Sequence, residues 1–245
     1  MQRRRIRELE QHLQVLDTPP AWANGAGTPA KLGYLFIVTY GRSGSTLLQG
    51  LLNSIPGYLL RGENRGALYR LYEYHATLLR ARDQFARAAD LTSRDSYYGI
   101  DEYAAATAIS QMRALVLRTL LRPAPETRVV GFKEIRWWQK DWQDYLAFLQ
   151  QLFPGARFVF NTRDHAGVAK SKWWGRQPEE QVLAQLAQHE ARLDEMAGHL
   201  GPNAYRVHYD EYVADPDVLK GLFAWLGEPF DRAAVDEVMG VKHSF

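Results

Sequence analysis

The sequence predicts a single-domain α/β protein with a central, mostly parallel sheet flanked by helices. Apolar runs of strand length alternate along the chain with longer amphipathic stretches of helical period. Short turns rich in glycine and proline separate the two kinds of segment, as in parallel sheets covered by helices. With 245 residues, of which 46% are hydrophobic, the chain can bury a full core, and one domain is expected.

The N-terminal segment is predicted to be an appendage of this domain. Residues 2–16 carry an apolar stripe of helical period, formed by Ile6, Leu9, Leu13 and Leu16. Prolines, glycines and alanines in the stretch that follows break this helix. We therefore expect residues 1–30 to form an N-terminal helix and linker, and residues 31–245 to form the domain.

The first unit of the domain is a strand, a small-residue turn and a helix. Residues 33–39 form an apolar run of strand length. The turn that follows opens a helix from about Thr46 to about Asn53, and a proline-glycine pair ends the unit. The apolar piece at residues 58–60 carries the chain onward and is not assigned as a strand.

The remaining elements follow from hydrophobic period and from the residues that interrupt it. Apolar runs predict three further strands, at residues 129–133, 157–161 and 205–208. Helical periods predict five further helices, at residues 66–90, 101–122, 139–153, 178–200 and 216–226. Ligands bind beyond the carboxyl ends of parallel strands, so the polar clusters there mark the expected site: residues 41–46, 133–136 and 163–165.

The turn after the first predicted strand has the composition of an anion cradle. Its small residues let main-chain N–H groups approach a phosphate, and the following helix N-terminus adds unpaired amides and a positive dipole end. These residues are Gly41, Ser43, Gly44, Ser45 and Thr46. The phosphate loop of ATP- and GTP-using proteins has a lysine before its Ser/Thr, whereas here the charged residue is the earlier Arg42. This difference indicates a nucleotide whose 5′ side is not a triphosphate.

Composition narrows the function classes. Thirty basic and 28 acidic residues give a formal charge of +2, too small to favour wrapping of nucleic acid. The absence of cysteine excludes a disulfide framework, a thiolate metal site and a cysteine nucleophile. No apolar run has the length of a membrane span, and the N-terminus lacks a signal-peptide core. We expect a cytoplasmic protein without a transmembrane segment, or a chain trimmed of an anchor.

Three segments resemble motifs of the sulfotransferases that use 3′-phosphoadenosine-5′-phosphosulfate (PAPS). Residues 40–48, Tyr-Gly-Arg-Ser-Gly-Ser-Thr-Leu-Leu, are similar to the loop that holds the 5′-phosphosulfate. In the 3′-phosphate motif of that family a strand ends in an arginine and a serine follows eight positions later, as do Arg163 and Ser171 here. Residues 208–227 resemble the closing strand-loop-helix unit. The resemblance spans roughly residues 33–230 and implies the P-loop NTPase-like sulfotransferase fold.

The resemblance implies a donor and a set of site residues. The donor would be PAPS, the product adenosine 3′,5′-bisphosphate, and no metal would be needed. The Gly41–Thr46 loop with Arg42 would bind the 5′-phosphosulfate, and Lys133 would be a second sulfate contact. Arg163 and Ser171 would bind the ribose 3′-phosphate. Sulfuryl transfer resembles phosphoryl transfer, so positioning and cationic stabilisation are expected to carry most of the catalysis.

The catalytic base differs among members of that family. Relatives that act on phenols and steroids have a histidine two places after a strand-end lysine, but that position here is Ile135. Tyrosylprotein sulfotransferases and related enzymes use a glutamate shortly after the first loop helix, and Glu63 resembles it in placement. A carboxylate can accept the proton late, as bond formation acidifies the hydroxyl. Glu63 is therefore the predicted base, with Glu134 as the reserve candidate.

Two functions from other classes remain open. The first is an ATP-dependent kinase or other NTPase with a degenerate loop, which predicts a magnesium-binding aspartate where Arg163 stands. The second is a non-catalytic scaffold that binds the nucleotide without transfer. The two differ in their expected ligand and in whether a group is transferred.

The acceptor is the least determined feature. A carbohydrate or glycolipid is the first expectation, on the family resemblance alone, with a peptide tyrosine or a small metabolite as alternatives. Residues 64–122 occupy the place where relatives build acceptor-binding helices, and candidate lining residues are Tyr69, Arg70, Tyr72, Tyr97 and Tyr98. One tryptophan is a candidate for stacking on adenine or sugar. Residues 240–243 match the relatives' closing segment over the 3′-phosphate only loosely, so Lys242 stays a weak candidate.

Overall fold

The computed structural model of the chain describes residues 32–85, 91–171, 174 and 177–241. The predicted helix at 2–16 and its linker lie outside these residues, as does Lys242. The domain division at residue 30 therefore stays a prediction.

Five parallel strands form the central sheet, in the order β2-β3-β1-β4-β5. They are β1 (Gly33–Val38), β2 (Tyr58–Arg61), β3 (Val129–Glu134), β4 (Arg157–Thr162) and β5 (Ala204–His208). Parallel strands need crossover connections, which the intervening helices supply. The predicted α/β class and sheet are thus confirmed.

Strand β2 corrects the sequence prediction, which assigned no strand to residues 58–60. It pairs with β3 at the sheet edge, with Tyr58 opposite Val129. The Asn53 side chain holds this edge strand at both polar groups of Leu60: its Oδ1 accepts from the Leu60 N–H at 2.7 Å, and its Nδ2 donates to the Leu60 carbonyl at 3.0 Å. Four residues are too short for a period to show in the sequence.

Helices cover both faces of the sheet. The described helices are α1 (Ser45–Asn53), α2 (Ala67–Phe85), α3 (Ala105–Val116), α4 (Trp142–Leu152), α5 (His165–Ala169), α6 (Glu179–Leu200), α7 (Tyr209–Ala214), α8 (Lys220–Leu226) and α9 (Arg232–Gly240). Helix α3 continues into a π-helical turn, Leu117–Leu121, and a 3₁₀ turn, Pro216–Leu219, leads into α8. The sequence prediction lacked α5, α7 and α9, which have at most nine residues each.

The sheet separates two hydrophobic clusters because successive side chains of a strand point to opposite faces. On one face Phe36 packs between Phe132 and Phe158, with ring centroids 4.6 and 5.4 Å away. On the other face Leu35 and Ile37 pack against α1 and α8. This two-sided burial fixes the strand register, so the carboxyl ends of β1, β3 and β4 lie side by side.

Candidate functional site

A cavity of about 570 Å³ lies at the carboxyl ends of β1, β3 and β4. Most of the predicted site residues line it: Gly41, Arg42, Gly44, Ser45, Thr46, Glu63, Lys133 and Arg163. The loop after β1 forms one wall and carries Arg42, and residues at or just beyond the ends of β3 and β4 contribute further cations. The cavity therefore brings together residues that are more than 100 positions apart in the sequence.

Buried hydrogen bonds hold the loop after β1 from beneath. The Thr39 hydroxyl donates to the Asn161 carbonyl at 2.7 Å and lies 2.6 Å from the Ser43 hydroxyl. The Asn161 side-chain amide donates to the Ser43 carbonyl at 2.9 Å, and the Tyr212 hydroxyl donates to Asn161 Oδ1 at 3.0 Å. Burial raises the pKa of Tyr212, which keeps this donor neutral. The side chain of Ser43 faces the interior, so its main-chain N–H is the group it can offer to a ligand.

Gly44 fits the loop because it has no side chain. It is the residue before α1, and its φ of 77° lies in the left-handed region that favours glycine. A Cβ at this position would lie 2.0 Å from the Tyr209 ring. Arg42 also has a left-handed backbone, with a φ of 69°. These two residues turn the loop so that the N-terminus of α1 faces the cavity.

Gly44→Ala should therefore destabilise the fold by about 2–4 kcal/mol, from left-handed backbone strain plus overlap with the Tyr209 ring. Chemical denaturation measures the loss. Gly155→Ala is the matched control, because Gly155 has a φ of 75° but no neighbour within 4 Å of the added Cβ. Equal losses in the two variants would show that contact with Tyr209 does not matter.

Main-chain and ring contacts hold Arg163 in place. The Tyr40 hydroxyl accepts from the Arg163 N–H and donates to the Arg163 carbonyl, both at 2.9 Å. The guanidinium carbon lies 4.4 Å from the centre of the Tyr209 ring, and Nη1 donates to the Arg42 carbonyl at 3.2 Å. Arg163 Nε is 3.9 Å from an Asp210 carboxylate oxygen, too far for a hydrogen bond.

Arg163 and Ser171 share an unusual feature. Helix α5 lies between them in the chain, and each carries a polar side-chain atom that is shielded from solvent and has no partner among the described residues: Arg163 Nε and Ser171 Oγ. A buried polar group without a partner costs roughly 1–3 kcal/mol. A ligand with acceptor oxygens would offset this cost at both residues.

Glu63 and Lys133 form an ion pair in the cavity. Lys133 Nζ donates to Glu63 Oε1 at 2.8 Å. The lysine side chain is only 8% exposed, whereas that of Glu63 is 35% exposed. The ammonium has three N–H donors, one of which is directed at Glu63. The pair therefore places a carboxylate and a cation together opposite the anion-cradle loop.

Glu134, the reserve candidate for the base, has a different position. Its side chain is nearly buried, and its oxygens accept from the main-chain N–H groups of Asn64, Gly66 and Ile135 at 3.2, 2.9 and 2.8 Å. These three N–H donors hold the carboxyl group in place. Glu134 thus ties the segment that carries Glu63 to the end of β3.

Comparison with known proteins identifies the family. The model of the Sulfotransferase family matches residues 35–232. The chain belongs to the sulfotransferase family.

Solved sulfotransferase structures share this fold. The sulfotransferase domain from the Synechococcus PCC 7002 olefin synthase is 21% identical, with a TM-score of 0.52 over 85% of this chain and 78% of that chain. The sulfotransferase domain from the curacin biosynthetic pathway is 17% identical, with a TM-score of 0.51 over 82% of this chain and 76% of that chain. No curated protein matches the sequence.

Several residues of this sulfotransferase site were missed as individual candidates. Tyr209 supports both Gly44 and Arg163, although it lies within the tract that resembled the closing unit. Trp174 Nε1 donates to the Gly41 carbonyl at 3.3 Å. Arg136 lines the cavity and belongs to the polar cluster that follows β3 in the sequence. The cluster was the available signal, but only the structure separates Arg136 from its neighbours.

The acceptor candidates of the sulfotransferase lie elsewhere. The cavity lining includes none of Tyr69, Arg70, Tyr72, Tyr97 and Tyr98. Tyr69 donates to Asp141 at 2.8 Å, and Tyr97 stacks on Phe85 at 3.6 Å between centroids. These aromatic residues pack against other helical segments.

Across the part of the chain that the structure describes, no group of three or more His, Asp or Glu side chains has a metal-binding arrangement. The described helices include none with the length and apolar character needed to cross a membrane.

Proposed function

We propose that this sulfotransferase transfers a sulfuryl group from PAPS to a hydroxyl acceptor, with Glu63 as the base. The observation that carries the proposal is the Glu63–Lys133 ion pair, which lines the same cavity as the anion-cradle loop and Arg163. A carboxylate acceptor for the proton and a cation for the developing charge are the groups that this chemistry requires. The family match supports sulfuryl transfer in general.

The residues present fit PAPS. Arg163 Nε and Ser171 Oγ both lack a partner among the described residues, which suits a 3′-phosphate with several acceptor oxygens. The loop that leads into α1 offers main-chain N–H groups, with Ser45, Thr46 and Arg42 beside them, to the 5′-phosphosulfate. When bound, PAPS would supply the sulfuryl group, with adenosine 3′,5′-bisphosphate as the leaving group.

Glu63 and Lys133 have different roles in the proposed transfer. Glu63 accepts the proton of the acceptor hydroxyl while the new bond from oxygen to sulfur forms and the bond from sulfur to the bridging phosphate oxygen breaks. Lys133 donates a hydrogen bond to the oxygen that gains negative charge. The products are the sulfated acceptor and adenosine 3′,5′-bisphosphate, and Glu63 then releases its proton to water.

A transfer assay tests this proposal. The purified chain is incubated with sulfur-labelled PAPS and a panel of carbohydrates, glycolipids, tyrosine peptides and small alcohols, with intact-mass detection of the products. Label on an acceptor, without added metal, is the expected result. Binding of the bisphosphate without transfer would favour the scaffold, and preference for ATP with magnesium would favour the kinase or NTPase. The carbohydrate or glycolipid acceptor and the cytoplasmic location stay predictions.

Arg163→Ala should weaken binding of adenosine 3′,5′-bisphosphate by about 2–3 kcal/mol, or roughly 30- to 150-fold in Kd. The reason is the loss of a charge-assisted contact to the 3′-phosphate, so the affinity for AMP should change much less. Calorimetry in the presence of a metal chelator measures both ligands. Arg206→Ala is the control, because Arg206 is exposed on β5 and pairs with Asp194. Equal wild-type affinity for the bisphosphate and AMP would contradict the assignment.

A further inference from the structure

Arg136 is a cation of the cavity that the two phosphate motifs do not use. It lies two residues beyond β3 and lines the same cavity as Glu63 and Lys133. Its Nε is shielded from solvent and has no hydrogen-bond partner within the described segments. A shielded N–H donor without a partner costs free energy, and a hydrogen bond to an acceptor of a ligand would offset this cost.

Two neighbouring cations of the cavity have other contacts or another proposed ligand, and Arg163, whose Nε also lacks a partner in the described part of the chain, is assigned to the 3′-phosphate. Lys133 has Glu63 as its partner at 2.8 Å. Arg163 stacks on Tyr209 and donates to a main-chain carbonyl. Arg136 instead has its guanidinium carbon 5.5 Å from the centre of the Trp138 ring, a contact that orients the cation and leaves its outer N–H donors available.

Trp138 places this cation near solvent. Trp138 is 53% exposed, which is unusual for tryptophan. The ring also borders a second depression of about 180 Å³, lined by Gln185, Gln188, His189 and Arg192. Arg136 thus lines the cavity of the Glu63–Lys133 pair, and the neighbouring Trp138 lines a polar surface depression towards which an acceptor could extend.

We propose that Arg136, oriented by Trp138, binds an oxyanion of the acceptor, so that the acceptor is a hydroxyl compound that also carries a carboxylate or phosphate. The planar guanidinium matches either group with two parallel hydrogen bonds. This inference rests on the proposed function and names the substrate class of the same site. It makes Arg136 a specificity-determining residue and not a donor-binding one.

The test uses acceptor pairs that differ in the presence of one anionic group, a carboxylate or a phosphate. The probes are 4-hydroxyphenylacetate and its methyl ester, 3-hydroxydecanoate and its methyl ester, and glycerol 3-phosphate and glycerol. Each is assayed for kcat/KM, and for binding to the complex with adenosine 3′,5′-bisphosphate by calorimetry. In at least one pair the charged member should be favoured by about 10- to 100-fold.

Two variants and a control assign the preference to Arg136. Arg136→Gln should remove the preference, and Arg136→Lys should restore part of it, because lysine keeps the charge but not the planar fork. The exposed Arg94→Gln is the matched control and should keep the preference. The KM for PAPS and the Kd for the bisphosphate should be unchanged in all three variants.

The outcomes separate this inference from the proposed function. Absence of a preference for the charged member in every pair, or a preference that survives Arg136→Gln, overturns the acceptor assignment. A large loss of bisphosphate affinity in folded Arg136→Gln overturns it too, because Arg136 would then bind the donor. Failure of the wild-type chain to bind the bisphosphate overturns the proposed function itself.

Discussion

Glu63→Gln is expected to lower turnover by about 10²–10⁴-fold, the usual contribution of a positioned general base. The amide is nearly isosteric with the carboxylate, and its oxygen can still accept from Lys133, whose Nζ lies 2.8 Å from Glu63 Oε1. The fold and the affinity for adenosine 3′,5′-bisphosphate should therefore be retained. Steady-state turnover with PAPS, together with calorimetry and a thermal melt, measures the three quantities.

Further variants test whether the loss of turnover in Glu63→Gln comes from the loss of the catalytic base. Glu126→Gln removes an exposed carboxylate outside the cavity and should leave turnover unchanged. Glu134→Gln should act through the segment that carries Glu63, since Glu134 accepts from the N–H groups of Asn64 and Gly66. Near-full turnover in Glu63→Gln, combined with its abolition in folded Glu134→Gln or His165→Ala, would make the base assignment wrong and leave the family assignment intact.

Lys133→Met should lower turnover by about 10²–10³-fold, as for loss of one donor to the transition state. Methionine fills the nearly buried site of the lysine with similar length, so the variant should fold. Bisphosphate affinity should change little, because that ligand lacks the sulfuryl group. Turnover assays and calorimetry measure these effects, and the exposed Lys140→Met is the control.

Two further measurements test how much the cations Arg42 and Lys133 contribute to turnover. Arg42→Ala should reduce turnover by a similar factor, since Arg42 lies in the predicted phosphosulfate loop. Lys133→Met and Glu63→Gln should be non-additive in combination, because the two side chains are in direct contact. Unchanged turnover in both Lys133→Met and Arg42→Ala would remove these cations from the mechanism.

Much of the fold was predictable from local patterns. The strands β1, β3, β4 and β5 are apolar runs between turns, and the long helices α2 and α6 have clear helical periods. Strand β2 was not predictable, since its placement depends on Asn53 and on pairing with Val129. Short elements take their conformation from tertiary contacts that no local window contains.

Individual residues of the candidate site could be predicted from the sequence, but the hydrogen bonds between them could not. The small residues of the loop, a strand-end Arg163 and the acidic Glu63 could all be chosen from the sequence. The bond from Asn161 to the Ser43 carbonyl joins residues 118 positions apart, and nothing local indicates it. The same holds for Glu134, whose three main-chain partners are not indicated by the sequence.

The Tyr209 ring contacts residues of both predicted anion sites. The ring packs against Gly44 in the loop after β1 and against the Arg163 guanidinium after β4. The two predicted anion sites therefore share a contact with a single side chain at the start of α7. Replacement of Tyr209 would therefore remove a contact from both predicted anion sites at once, whereas replacement of Arg163 would remove a contact from only one of them.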